Sequence, residues 1–561
     1  MDTAQRARLG LNALSPSRVE TLAIQKRRAM RQLRSKSSLL EKYIFMAQMR
    51  TTQTHLFYKI VIEELEELAP VIYTPTVGTA CLEYSNMYPF LAAPGVSDGL
   101  YLTYPNSAAA PTTSDLVSMI KQYQPFPNEI YQPEIAVISD GSRILGLGDL
   151  GVNGIGIPIG KLQLYVAGAG IDPRKTLPII LDLGTNNDKF LEDEFYLGLR
   201  QRRPDEQQFY ESVEKVIQSI HQVYPDILIQ FEDWSSEHAF GLLEKYQKKM
   251  LCFNDDIQGT GAVILSGVIN AIRRVQKESG VEPQGHRVVF YGAGSAAIGV
   301  ARQIQEYFQI EHGLTEEQAR QLFWIVDSKG LVTVDRGDKL AQHKTYYARN
   351  DNQGQQYKSL LDIVEYVKPT VLIGLSSIPG AFTEQVLRRL AALNEQPIVF
   401  PLSNPATQAE CTFEQAMQAT EHRVIFASGT AFPAFTEPLT QKRHIPGQGN
   451  NMYIFPGLGL GAVLAKPTYI SDGMIYAAAK ALADSLSQDE IQQGWLYPTL
   501  TRIRQVSAIV ATAVCHEAIT ENLAQSAHLL AVPKDDILPY VVKHMWAPHS
   551  LDALASSSSR I

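Results

Sequence analysis

The chain has 561 residues, several times the size of a usual domain, which predicts two to four domains around a large core. With 45% hydrophobic and 19% charged residues, its composition is that of a folded globular protein and excludes a disordered one. A net charge of -8 excludes the strongly basic surface of a nucleic-acid binder and predicts a small-molecule partner.

In chain order, the first signal is helical. Apolar residues recur at three- and four-residue spacing over Arg27 to Leu33 and Ile44 to Leu68, and the pattern ends at Pro70. From about 134 the pattern changes. EIAVISDG, TLPIILDLG, DILIQFEDW and MLCFNDD read as strands, with helices such as Glu211 to His221 between them. HRVVFYGAG opens a second series that continues through FWIVDSKG, PTVLIGLSS, QPIVFPLSNP and RVIFASG. Strands alternating with helices predict parallel sheets covered on both faces. The expected fold is therefore α/β, in three domains and a tail. A helical N-terminal domain spans 1–108, and a central parallel-sheet α/β domain for substrate and metal combines 109–254 with 451–522. A Rossmann-type NAD(P)-binding domain spans 255–450, and a C-terminal tail spans 523–561, with a serine run at 556–559.

The cysteines Cys81, Cys252, Cys411 and Cys515 show no CxxC spacing, so a reducing compartment is expected. No uncharged apolar run reaches the length of about 18 residues that a membrane helix needs. The basic stretch Thr21 to Leu40 reads as a folded helix rather than a transit segment, which makes the cytoplasm the expected location.

Gly292, Gly294, Ala297 and Gly299 follow one predicted strand and open a helix. Small residues there allow a tight turn, and free N–H groups at the helix start suit a pyrophosphate. The acidic partner expected at the next strand end is Asp327, about 35 residues on because the helical stretch Thr315 to Leu322 intervenes. Ser328, Lys329 and Lys344 are candidates for meeting a 2′-phosphate, so NAD is expected with NADP left open.

Glu232 and Asp233 end one predicted strand, and Asp255 and Asp256 end another. Carboxylates at the C-terminal ends of parallel strands lie where such sheets bind ligands, and three of them suit octahedral Mg2+ or Mn2+. Lys161 sits in the Gly-rich, otherwise apolar segment GLGDLGVNGIGIPIGKL, which lacks the Walker pattern. A lysine desolvated beside a divalent cation has a lowered pKa and serves as a general base; the alternative is a structural lysine. Arg143 is a candidate clamp for a substrate carboxylate, and Asn404 and Asn450 are candidate hydrogen-bonding groups in LSNPA and GQGNN. Tyr73, in VIYTPTVG, is one of 25 tyrosines and carries no local signal of its own.

With YTPTVG, RILGLGDLG, GIPIGKL, FEDW, FNDDIQGT, GAGSAAIG, LSNPA and GQGNNMYIFPG in this order, the chain resembles the malic enzymes, the NAD-dependent bacterial type in particular, from about Leu9 to about 520. The resemblance implies oxidative decarboxylation of L-malate to pyruvate and CO2, with oxaloacetate decarboxylation alongside. It implies Glu232, Asp233 and Asp256 as ligands of Mg2+ or Mn2+, with Asp255 as the acid beside the base. It implies Lys161 as the base at the C2 hydroxyl and Tyr73 as the acid at C3. Arg143, Asn404 and Asn450 would bind malate, and Gly292, Gly294, Ala297, Asp327 and Asn404 would bind the nucleotide. A homodimer or homotetramer is expected, with neither a nucleic-acid nor a membrane partner. The competing readings are a malolactic enzyme, which returns the hydride to give lactate, and an inactive nucleotide-binding regulator.

Overall fold

In this computed structural model, residues 3–548 are described except 9, 11, 12, 15, 93–95, 108, 127–129, 338 and 339. The chain forms two compact units, Met1–Asn254 with Pro456–Ser471 and Leu500–Ile561, and Asp255–Phe455 with Asp472–Thr499.

The first unit is built on five strands: β1 (Leu100–Thr103), β2 (Ile135–Ser139), β3 (Thr176–Asp182), β4 (Leu228–Phe231) and β5 (Cys252–Asn254). They pair in parallel in the order β1-β3-β2-β4-β5. Every residue of β2, β4 and β5 is buried, as expected of strands covered on both faces. Helices precede this sheet at Leu22–Arg34, Leu39–Thr52, Thr54–Glu63 and Leu65–Ile72. The pattern from Ile44 to Leu68 thus resolves into several helices, broken at Gln53 and Glu64, whose dihedrals are non-helical. Around the first break, the hydroxyls of Thr52 and Thr54 donate back to the carbonyls of Gln48 and Arg50, offering the backbone an alternative to continued helix. Pro70 lies inside the last helix rather than ending it.

The second unit carries β6 (Val288–Tyr291), β7 (Phe323–Asp327), β8 (Gly330–Leu331), β9 (Val371–Gly374), β10 (Ile398–Pro401) and β11 (Ile425–Ser428). It also holds β12 (Phe435–Thr436), β13 (Arg443–His444) and β14 (Gly447–Gln448). Its main sheet has the order β14-β11-β10-β9-β6-β7-β8 and is parallel except for the β7–β8 edge. Strands β12 and β13 form a separate antiparallel hairpin.

Three boundaries differ from the sequence-based division. β1 falls inside 1–108, and its pairing with β3 makes the helical segment part of the same unit as the first sheet. The helix Asp472–Asp484 packs on the long helix Thr260–Ser279, so 472–499 goes with the nucleotide-type sheet. The C-terminal helix Ile537–His544 packs on Ile503–Thr520, and the Trp546 N–H donates to the Gly170 carbonyl at 2.6 Å, which anchors a segment expected to be peripheral. The serine run at 556–559 lies outside the described residues. Among the described residues no helix is long and apolar enough to cross a membrane.

Candidate active site

The C-terminal ends of β4 and β5 hold the acidic residues. Glu232 and Asp233 follow β4 directly, and Asp255 and Asp256 follow β5 in a short π-helical turn, Asp255–Gly259. Carboxylate oxygens of Glu232, Asp233 and Asp256 all lie within 4.8 Å of one another. Asp233 has a φ of 54°, a left-handed conformation that a non-glycine residue adopts at some cost and that turns its carboxylate back toward its neighbours. Glu232 and Asp233 are buried, and three clustered hard oxygen donors, two of them sequestered, fit Mg2+ or Mn2+.

Glu232 is oriented from behind. The Gln230 side-chain amide donates to Glu232 Oε2 at 2.7 Å, and the Tyr165 hydroxyl donates to Gln230 Oε1 at 2.5 Å. Gln230 and Tyr165 are fully buried, and neither stood out in the sequence. The period-2 alternation of β4 is a signal pointing to Gln230: a glutamine two residues before Glu232 faces the same side of the strand.

Lys161 lies on the helix Gly156–Leu164, every residue of which is buried. Its ammonium is 3.0 Å from Glu232 Oε1 and 5.6 Å from the centre of the Tyr73 ring. Tyr73 caps the helix Leu65–Ile72 and is 8% exposed. The small residue at Gly160 makes this approach possible, because a Cβ there would lie 2.6 Å from Tyr73 Cδ2. The lysine, the tyrosine and the acidic cluster are thereby brought together from segments far apart in sequence.

Arg143 is exposed at the rim, on the loop between β2 and the helical turn at Gly151. Its backbone N–H donates to the Asp233 carbonyl at 3.2 Å, and its guanidinium donates to the Ser236 hydroxyl. In the second unit, Asp255 is fully buried and its Oδ2 accepts from Asn451 Nδ2 at 3.0 Å. The same Asn451 amide group reaches Thr260 Oγ1 at 3.0 Å. Asn451 is thus the asparagine of GQGNN that holds the acid, while Asn450 caps the following turn through its Oδ1. Gly259 is required here, since a Cβ would lie 1.9 Å from Asp255 Oδ1.

The nucleotide motif adopts the strand–turn–helix context its sequence predicts, between β6 and the helix Ser295–His312. Gly292 has a φ of 124°, and a Cβ on it would lie 2.4 Å from the Leu375 carbonyl oxygen at the end of β9. Gly294 caps the helix, and among the described residues no heavy atom comes within 4 Å of a Cβ built on it, which leaves room for a phosphate. Ala297 is 1% exposed, so it serves close helix-to-strand packing. The loops after β9 and β10 are tied together by the fully buried Glu410, which accepts from Ser376 N at 2.9 Å and from Ser403 Oγ at 2.6 Å. The exposed Asn404 follows Ser403.

Asp327 ends β7 and is engaged on both oxygens. Arg336 donates to it through Nη1 at 2.8 Å and Nη2 at 2.9 Å, Lys344 donates at 2.9 Å, and the Lys329 N–H at 2.9 Å. Burial alone would raise its pKa; the hydrogen bonds from Arg336 and Lys344 outweigh that and bring it to about 2.

Two family models cover most of the chain, one described as the malic enzyme N-terminal domain over residues 50–247 and one as the malic enzyme NAD-binding domain over 257–519. A NADP-dependent malic enzyme of Dictyostelium discoideum is 47% identical over 541 residues, covering 96% of this chain and 93% of that protein. The chain belongs to the malic enzyme family. NAD-dependent malic enzyme 2, mitochondrial, of Arabidopsis thaliana is also similar, 37% identical over 97% of this chain and 89% of its own length. The malic enzyme of Entamoeba histolytica has the same fold, with a TM-score of 0.57 at 22% identity over 98% of this chain and 94% of its own. Malic enzymes related to this chain carry both NADP and NAD in their names, so membership of the family does not choose the cofactor.

Proposed function

We propose that the chain catalyses the divalent-metal-dependent oxidative decarboxylation of L-malate to pyruvate and CO2, with Lys161 as base and Tyr73 as acid. The observation that carries this reading is the convergence of Lys161, Tyr73 and the carboxylates of Glu232, Asp233 and Asp256 on the ends of one sheet. Those three carboxylates would hold Mg2+ or Mn2+, which would supply Lewis acidity, and the turn at Gly292 and Gly294 would hold a nicotinamide cofactor, which would supply a hydride acceptor. Lys161 takes the C2 hydroxyl proton as the hydride leaves. The C3–C4 bond then breaks, CO2 departs, and the electron pair forms the enol of pyruvate. Tyr73 delivers a proton to C3 to complete pyruvate, and the nearby Lys161 ammonium supports that transfer. Asp255, fixed by Asn451, provides a buried acid directly after β5. Arg143 binds a malate carboxylate with its fork, assisted by Asn404 and Asn450.

For the cofactor, we infer NADP. Arg336 and Lys344 both reach Asp327 at the end of β7, and these two cations are the partners for a 2′-phosphate. Burial holds the thiols of Cys252 and Cys515 up at about 12, and all four cysteines are buried and free, in keeping with a reducing compartment such as the cytoplasm. A homo-oligomer using the helical N-terminal segment is the expected assembly, which light scattering reads directly.

The test is reduced-cofactor formation from L-malate with Mn2+, with NAD and NADP in parallel and pyruvate quantified. Equal amounts of pyruvate and reduced cofactor are expected, with kcat/KM higher for NADP. Lactate without net reduction would instead identify a malolactic enzyme, and a preference for NAD would overturn the cofactor assignment alone. Lys161→Ala is expected to abolish turnover while nucleotide binding persists; unchanged turnover would remove the lysine from its role.

A further inference from the structure

The loop that carries Arg143 is held by an arginine with no signal in the sequence. Arg203 lies in the segment after β3 and is 10% exposed at its side chain, facing Asp140 at 1% and Asp149 at 16%. Its guanidinium spends its fork on both ends of the loop. Nε donates to Asp149 Oδ2 and Nη2 to Asp149 Oδ1, each at 2.8 Å. Nη1 donates to Asp140 Oδ2 at 3.0 Å, and Nη2 also reaches the Asp140 carbonyl at 2.9 Å. Burial works against the Arg203 cation, yet Asp140 and Asp149 raise its pKa overall.

From Asp140 the connection runs directly into the site. Asp140 Oδ1 accepts from the Ser142 N–H at 2.9 Å and from its hydroxyl at 2.5 Å. The Ser142 Oγ in turn accepts from the Ser235 N–H at 2.8 Å, while Arg143 N–H donates to the Asp233 carbonyl. The loop itself is tightly contoured, with Gly141, Leu145, Gly148 and Gly151 all at positive φ. A Cβ on Gly141 would lie 1.9 Å from the Gly151 carbonyl oxygen, so the two ends of the loop are in contact. With Arg203 removed, the buried Asp140 and the partly exposed Asp149 would lose the cation they share.

We propose that Arg203 is a positioning residue for malate: through Asp140 and Asp149 it fixes the loop that presents Arg143, and through Ser142 it fixes the left-handed turn at Asp233. The inference rests on the reading of Arg143 as the carboxylate clamp and Asp233 as a metal ligand. A lysine in place of Arg203 keeps the charge but provides one donor centre where the fork provides three nitrogens, so it cannot hold both aspartates in register.

The test is Arg203→Lys in the full-length chain, with malate and cofactor kinetics at saturating Mn2+, and Mn2+ affinity measured separately by electron paramagnetic resonance without malate. The expected result is a malate KM raised about tenfold or more with kcat within about threefold and the cofactor KM unmoved, as loss of a positioning contact gives. Mn2+ affinity should fall by about tenfold, within the range for groups that orient metal ligands. An unmoved malate KM, or a fall in kcat alone, overturns the inference. If Arg203→Lys fails to fold, Ser142→Ala decides, since it cuts the link from Asp140 to Ser235 and leaves Arg203 in place; it should raise malate KM severalfold, and an unmoved KM overturns the inference. Absence of malate turnover in the unmodified chain would remove the functional reading and this one with it, whereas turnover with an insensitive KM removes this one alone.

Discussion

Gly160→Ala isolates the geometry of the Lys161–Tyr73 pair without touching either residue. In an open helix position the change would stabilise by about 0.5–1 kcal/mol, because alanine loses less conformational freedom than glycine. Here the new methyl would sit 2.6 Å from Tyr73 Cδ2, 3.2 Å from Cε2 and 3.4 Å from the Ile72 carbonyl oxygen. Carbon–carbon contact is optimal at about 3.5–4.0 Å, so the ring must retreat by roughly 1 Å. Tyr73 is 8% exposed, and overpacking of this kind costs about 1–3 kcal/mol, which offsets the helix gain. A displacement of about 1 Å in a reacting group lowers the rate by about 10²-fold, or about 2.7 kcal/mol of barrier. The assay is steady-state malate decarboxylation alongside nucleotide binding by fluorescence and a thermal melt. A kcat close to that of the unmodified chain, with a normal melt, would refute the claim that ring placement governs proton delivery.

Gln230→Leu removes the donor to Glu232 Oε2 while keeping the volume close, and should weaken Mn2+ binding by about 10–100-fold; titration calorimetry with Mn2+ checks this, and an unchanged affinity would show that Glu232 orients itself. His286 is fully buried, its Nδ1 is 2.9 Å from Thr370 Oγ1, and burial lowers its pKa from 6.5 to about 4. Between those values the unfolded chain binds a proton that the native chain does not, so stability is complete above about 6.5 and falls as the pH drops toward 4, by about 3 kcal/mol in all. Urea unfolding at pH 7 and pH 4.5 reads this loss, and His286→Gln should flatten it; an equal acid loss in the variant would assign it to other groups.

Much of the fold was legible because strand and helix periods are local properties. The strand runs, the Gly292 turn and the acidic strand ends each carry their signal within a few residues, and all appear where their patterns place them. The helix breaks at Gln53 and Glu64 were not legible in a stretch of helix-compatible residues, which conceals, at Gln53, where threonine hydroxyls compete for backbone carbonyls. Residues that act by contact across the fold were equally hidden. Gln230, Asn451 and Arg203 are ordinary polar residues until the chain folds and gives each a carboxylate partner, and Glu410 is one more acidic residue until it meets Ser376 and Ser403. Tyr73 was visible only through family likeness, since what distinguishes it from the other tyrosines is the space left by Gly160.

The interleaving of the two units along the chain has a consequence for biosynthesis. Residues 255–455 of the second unit emerge as one continuous stretch, but the first unit is completed only by Pro456–Ser471 and the segment from Leu500 onward. At about 5–20 residues per second, the ribosome adds that last segment roughly 12–50 s after β5 has been made. Throughout that interval the first sheet stands without the helix Ile503–Thr520, whose buried face includes Val506, Val510 and Val514. The Lys161 helix therefore belongs to a nascent chain with an unfinished core, and a holdase that shields apolar surface would act on both units, since the nucleotide-binding one likewise waits for Asp472–Thr499.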